Sequence, residues 1–250
     1  MTPVRIYQAA VIIGFVALLE ILCLTGVIDK VTMPPPHIIL RDFVRMMMTG
    51  QYFTDIGITM LNVLIAFAAA FVIGVLTGTV LHGYRTMRDI LDPLFATYYA
   101  IPVFAFYPLF IVIFGLGDGP QLLIGFMLGV VAVIVNTLNG LDRVPRTLMK
   151  TARIARMGPV ATVRSISLPY AAPYILTGAK LAVAYSLIGI IGAEFIMSRG
   201  GMGYEISFAY NNFDNATMYP LILLILLVSI TINMLLARWE KRLMIRRGQR

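Results

Sequence analysis

The chain has 250 residues, 59% of them hydrophobic and only 13% charged, with a formal net charge of +8 and a mean hydropathy of +0.86. Soluble domains carry about a quarter charged residues, so this composition excludes a water-soluble enzyme and demands an all-α, multi-pass membrane protein. The basic residues lie between and after apolar runs rather than on an aromatic-interleaved surface, which makes them a topology signal and excludes nucleic acid as a partner.

The first apolar run, residues 8–28, contains Glu20 and the single Cys23. It is too long for a signal-peptide core and no small-residue cleavage site follows, so an uncleaved first span on a chain starting at Met1 is expected. One cysteine allows no intramolecular disulfide, and Cys23 reads as a small packing residue. Glu20 falls about 12 Å below the outer end of this span at 1.5 Å per residue, where a carboxylate needs a partner, a proton or water.

After a proline run, Ile39, Phe43 and Met46 recur at helical spacing opposite Arg41, Asp42 and Arg45. Residues 34–55 therefore predict an outer segment with a short interfacial helix on the lipid surface. The second span, 56–81, carries Asn62, Ala66, Ala70, Gly74 and Gly78 in steps of four, a smooth ridge for close helix packing. Asn62 lies about 9 Å deep from the same side as Glu20. Two fates for Glu20 follow: a hydrogen bond to Asn62, or a side chain reaching alone to an outer aqueous cavity.

The third span, 96–115, contains Pro102 and Pro108, each of which removes a backbone donor. Such a helix faces protein or an aqueous path, or is merely bent for packing. The fourth span, 121–140, adds Asn136 as an intramembrane polar candidate; the fifth, 171–197, holds Lys180 and Glu194; the sixth covers 217–237. Lys180 lies two turns into its span, within snorkelling reach of the cytoplasmic face. Glu194, near the outer end, either lines the mouth of a pathway or caps a helix end, paired with Arg199 or turned away.

An even span count puts both termini on one side. Arg85, Arg88, the 141–168 connection and the basic tail at 241–250 fall on that side, against Lys30, Arg41, Arg45 and Arg199 on the other. Both termini are thus expected in the cytoplasm. Within 141–168, Leu148, Met149, Ala152 and Ala155 form one helical face and Arg146, Lys150 and Arg153 another. Gly158 suits a left-handed cap and Pro159 the first turn of a following helix running through Val163 and Ile166. Physics alone allows this basic helix to lie on anionic lipid.

The string ARIARMGPVATVRSISLPYAAP, with LDPLFATYYAIPVFAFYPLFIVIFGLGDGPQ, VNTLNGLDRVP and GAEFIMSRGGMGYEI, resembles permease subunits of bacterial binding-protein-dependent ABC importers from about residue 34 to the end. The likeness is greatest to the nitrate, sulfonate, taurine and bicarbonate branch. It implies six spans in a type I permease fold and a multi-pass protein of the bacterial inner membrane. A cytoplasmic coupling helix between spans four and five would dock in a groove of the ATPase. In that family the loop reads Glu-Ala-Ala, a Gly four residues after the second Ala, and a Leu-Pro whose Pro lies thirteen beyond that Gly. Here Lys150, Thr151, Ala152 and Arg156 occupy those positions, with Arg153, Met157, Gly158, Pro159, Leu168 and Pro169 completing the loop. Two cations thus replace an anion and a glycine, which implies compensating acidic groups on the ATPase or a second permease with a more regular loop.

The chain contains no G-x-x-x-x-G-K-[ST] segment, so ATP hydrolysis falls to a separate subunit and no cofactor is expected on this chain. There is no HExxH, and the only histidines, His37 and His82, are far apart, so neither an enzyme nor a metal site is expected. By resemblance, two permease subunits, two ATPases and a periplasmic or lipid-anchored solute-binding protein assemble around a small solute. That solute would be nitrate-, sulfonate- or taurine-like, or a vitamin precursor. The rival reading is an ion-coupled secondary transporter, which calls for repeats and midplane ionisable residues. The domain plan is a single permease unit: 1–33 the first span and flanks, 34–55 the outer segment, 56–240 the core and 241–250 the tail.

Overall fold

A computed structural model describes residues 3–29 and 32–246 of the chain. Lys30, Arg247 and Arg250, and the side chains of Arg5, Lys241, Arg242 and Arg246, all invoked for the charge bias, lie outside the described residues. Helix α1 runs over Pro3–Leu24, α2 over Pro36–Thr49 and α3 over Phe53–Gly83; α4 spans Arg85–Tyr98 and α5 Tyr107–Phe114. Then come α6 (Asp118–Asp142), α7 (Arg146–Ile154), α8 (Pro159–Thr162), α9 (Leu168–Ile196), α10 (Met202–Asn211) and α11 (Asn215–Arg246).

Among the described residues, four helical stretches are long and apolar enough to cross a membrane: Phe53–Gly83, Asp118–Asp142, Pro159–Ile196 and Asn215–Glu240. A fifth is reached if α4 and the Val103–Phe114 segment form one broken span, and Ala10–Leu24 is a shorter apolar helix. The third span expected at 96–115, with its two prolines, is broken near its start and reaches back to Arg85. The chain bends there by 94°. Pro102 stands before a 3₁₀ turn at Val103–Phe106, and Pro108 sits in the first turn of α5. Neither proline interrupts a helical ladder, because a helix tolerates proline where its first amides lack partners anyway. Within this broken span it is Pro93, inside α4, that does.

The core is a three-helix layer of α3, α6 and α9. The ridge of Asn62, Ala66, Ala70, Gly74 and Gly78 is buried along its whole length. A Cβ on Gly74 would stand 2.6 Å from the Val133 Cβ, and one on Gly78 2.9 Å from that of Thr137, so α3 lies almost in backbone contact with α6. The contacts advance together from Ala66 on Gly125 to Gly78 on Thr137, which makes α3 and α6 parallel. Against α9 the order reverses: Gly125 meets Ile190, Gly129 meets Ser186 and Gly140 meets Tyr174. Small residues permit this approach, and in lipid such packing drives helix association in place of the hydrophobic effect. Ser186 reinforces the seam by donating to the Gly125 carbonyl at 3.1 Å.

Helix α2 is amphipathic as expected: Met46 is buried and Phe43 half-buried against Leu221 and Leu224 of α11, while Arg41 and Arg45 are exposed. Near the other end of the layer, Lys180 Nζ meets Glu240 Oε2 at 2.9 Å, and Thr177 Oγ1 donates to Glu240 Oε1 at 2.5 Å. The snorkelling expected of Lys180 is thus replaced by an ion pair joining α9 to α11. At that depth a paired cation costs less than a bare one.

Candidate functional site

The loop between α6 and α9 is built as helix, corner, helix. Pro145 precedes α7, whose N–H groups at Leu148 and Met149 bond back to the Pro145 carbonyl. Ala152 is 2% exposed, and Met149 places its sulfur 4.0 Å from Ser167 Oγ, so this stripe seats α7 on the start of the next helix. Lys150, Thr151, Arg153 and Arg156 are exposed and Met157 is half-buried. The expected left-handed residue is not Gly158, which is extended at φ −65° and ψ 163°. It is Arg156, at φ +50°, two residues earlier. A side chain in this conformation costs roughly 1–2 kcal/mol, which accounts physically for the glycine of the family pattern at that position.

Gly158 instead starts α8, with Pro159 in its first turn. The second short helix does not stop: a π-turn at Val163–Ser167 joins α8 to α9, with Leu168 N–H bonding the Val163 carbonyl five residues back. Leu168 packs with Leu141, Ala171 and Ile175, and Pro169 occupies the first turn of α9. Two residues that the expected apolar face omitted stand out here. Ile154 is 84% exposed and Val160 78% exposed, on either side of the corner. The loop's base is fixed: Asp142, the last residue of α6, is held by both nitrogens of Arg88 at 2.7 Å, with His82 Nδ1 at 3.3 Å. The Arg88 guanidinium offsets an anion at a helix C-terminus, where the dipole opposes it. Outside the spans, at the other end, Glu205 of α10 has its carboxyl raised above the usual range by burial, with Asp55 adding to the effect.

At that far end, polar side chains close a second junction. Glu194 is fully buried and accepts from Thr59 Oγ1 at 2.9 and 2.8 Å and from Gly203 N–H at 3.0 Å. Thr59 Oγ1 in turn accepts from Met202 N–H at 2.8 Å, and Asp55 Oδ1 from Gly201 N–H at 3.0 Å. The first amides of α10 are thus capped from α3 and α9, satisfying groups that no helix satisfies for itself. Glu194 is a cap for another helix, and the pairing with Arg199 is corrected. Gly201 is required twice over, by φ +97° and because a Cβ there would lie 2.5 Å from the Glu194 carboxyl carbon.

The proposed Glu20–Asn62 bond is also overturned. Glu20 Oε1 lies 2.5 Å from His37 Nδ1, and Glu20 Oε2 accepts from His37 N–H at 3.2 Å, tying α1 to α2. Asn62 instead donates to Asp118 Oδ1 at 3.3 Å. Asn136 donates to the Ala132 carbonyl at 2.8 Å and lines a cavity of about 420 Å³ between α4, α6 and α9. Pro102 lies in the bend and Pro108 in the leg that follows it.

Residues 70–245 match the family described as binding-protein-dependent transport system inner membrane component. A Brucella melitensis protein, named a probable ABC transporter permease, is 26% identical over 213 residues, 85% of this chain and 87% of its own length. The nitrate import permease of Synechococcus elongatus is 28% identical over 76% of this chain and 68% of its own. The bicarbonate transport permease of the same organism is 32% identical over 58% of this chain and 52% of its own. Among solved structures, a chain of the MetNI methionine ABC transporter in an inward-facing conformation superposes with a TM-score of 0.67. That match covers 76% of this chain and 95% of the other at 17% identity, a shared fold.

Proposed function

This chain belongs to the family of inner membrane components of binding-protein-dependent transport systems, and from that premise we propose how it works within the importer. It is the permease subunit of an ABC importer, a multi-pass protein of the inner membrane. In our reading α1 is the first of six spans, α4 with α5 the third, and the whole chain one permease domain with both termini in the cytoplasm. Helix α7 is the coupling helix. It docks on a separate ATPase subunit, and a second permease subunit and an extracytoplasmic binding protein complete the assembly around a small solute.

The observation that carries this reading is the exposed pair Ile154 and Val160, 84% and 78% accessible beside the cations of α7. Large aliphatic side chains this exposed at a corner, flanked by Lys150, Arg153 and Arg156, suit a groove that is apolar at its floor and acidic at its rim. The cations at the Glu and Gly positions of the family pattern favour an ATPase with acidic groups there.

The test is site-directed crosslinking in membranes holding the whole complex. A chain with Cys23→Ser and Ile154→Cys, carrying a short thiol-reactive crosslinker, is expected to capture the ATPase polypeptide. Capture of phospholipid alone would overturn the docking assignment. Ala152 is the wrong place for the probe, because it faces its own chain.

A further inference from the structure

Beside the bend of the third span lies the cavity of about 420 Å³ lined by Asp92 and Phe95 of α4, Tyr99 just after it, Asn136 of α6, and Leu181 and Tyr185 of α9. In the direction of the helices its wall runs from six residues short of the end of α6, at Asn136, to Val131. That places it about 9–17 Å along the helix axis from the end of α6 at 1.5 Å per residue, open on the side of the exposed Tyr99 and Leu181. Its size falls in the range of small-molecule sites.

The wall chemistry is specific. The rings of Tyr99 and Tyr185 stand 5.4 Å apart between centroids, tilted by 39°, and open an aromatic face on two sides. The Tyr185 hydroxyl has no hydrogen-bond partner among the described residues, although a half-buried tyrosine normally finds one. Asn136 spends one amide proton on the Ala132 carbonyl, which leaves its Oδ1 to accept. Gly178 makes room for that side chain, since a Cβ there would lie 2.9 Å from the Asn136 Cβ. The one charged lining residue is Asp92.

Cations that could receive an anion are engaged elsewhere. Arg88, the nearest along α4, holds Asp142 with two 2.7 Å bonds and stands 3.6 Å from Asp92. Lys180 is paired with Glu240. An anion entering here would meet two ring faces of negative quadrupole and Asp92, which shares the single Arg88 guanidinium with Asp142, so the local charge stays negative. An uncharged or cationic ring would stack on Tyr99 and Tyr185 and donate to Asn136 Oδ1 and Asp92.

We propose that this cavity is an intramembrane cargo site, and that its cargo is a small planar ring, neutral or cationic, bearing N–H donors. The inference rests on the permease reading above and narrows its solute class away from inorganic and sulfonate anions. Asn136 and Tyr185 are its hydrogen-bonding residues, and Tyr99 supplies the stacking face.

The experiment uses the full chain in lipid nanodiscs and reads binding from the rise in unfolding temperature with ligand concentration. The probes are cytosine, an uncharged ring, and benzamidine, a cationic one, against sodium nitrate, bicarbonate and taurine. One or both rings are expected to give a saturable rise and the three others none. Asn136→Leu and Tyr185→Phe, which keep the branching of one side chain and the ring of the other, are each expected to weaken the ring probe about tenfold or more while leaving the unliganded unfolding temperature in place. The proposal falls if neither ring binds, if ring binding ignores both substitutions, or if nitrate, bicarbonate or taurine binds in a manner that Asn136→Leu abolishes. If the rings fail while Ile154→Cys still captures the ATPase, the cargo class is wrong and the permease assignment stands.

Discussion

The two ends of the α3–α6–α9 layer are finished to different degrees. At the Glu194 end the amides of Gly201, Met202 and Gly203 are bonded to side chains from other helices, and the carboxylate that organises them is fully buried. At the α7 end the helix is seated by Ala152 and Met149, and it leaves cations, two large aliphatic side chains and a left-handed arginine on the surface. One junction is complete within a single chain. The other has the composition of half an interface, and the contrast locates mechanical stability at one end and partner recognition at the other.

The comparison is broken most severely by Gly201→Ala. Left-handed strain of roughly 1–2 kcal/mol and a clash with a buried carboxylate, about 1–3 kcal/mol for overpacking, add to a loss of about 3 kcal/mol or more in detergent-induced unfolding. Glu194→Leu should follow at about 2–3 kcal/mol, since it strands the Gly203 amide and the Thr59 hydroxyl. Glu194→Gln, which still accepts, should recover most of that loss. An equal loss for Leu and Gln would show that charge and not capping matters there. At the opposite end the sign reverses: Arg156→Gly should stabilise the isolated chain by up to about 1 kcal/mol by relieving the positive φ. The smallest effect is expected from Lys150→Glu, within about 0.5 kcal/mol for the chain alone, while its crosslinking yield to the ATPase changes. A large stability loss from Lys150→Glu would mean that the loop is already complete without a partner.

Much of the core was legible from spacing. Small residues every four positions from Asn62 to Gly78 can serve only close packing, and they meet α6 along their length. Long-range polar pairs were not legible, because nothing in local sequence says that Glu194 will find Thr59, 135 positions away, or that Glu20 will prefer His37 to Asn62. Helix α10 was hidden for a related reason. Its start, SRGGMG, has the composition of a loop, and the caps that make it a helix come from α3 and α9. The corner of the loop was misplaced by two residues because Gly158 is the residue that tolerates a positive φ most readily, whereas the backbone demands it at Arg156. Ile154 and Val160 lie off the apolar face that the spacing marks, and spacing alone does not tell a lone aliphatic side chain on a polar face from one awaiting a partner.

The clamp on Asp142 has one more meaning. With its carboxylate gripped by Arg88 and His82, the root of the α7 segment is bolted to α3 and α4, while its tip touches its own chain lightly. A cantilever fixed this way delivers any load on its free end as torque at the bolt. The bolt sits on the same helix, α4, whose far end runs into Tyr99 and the 94° break.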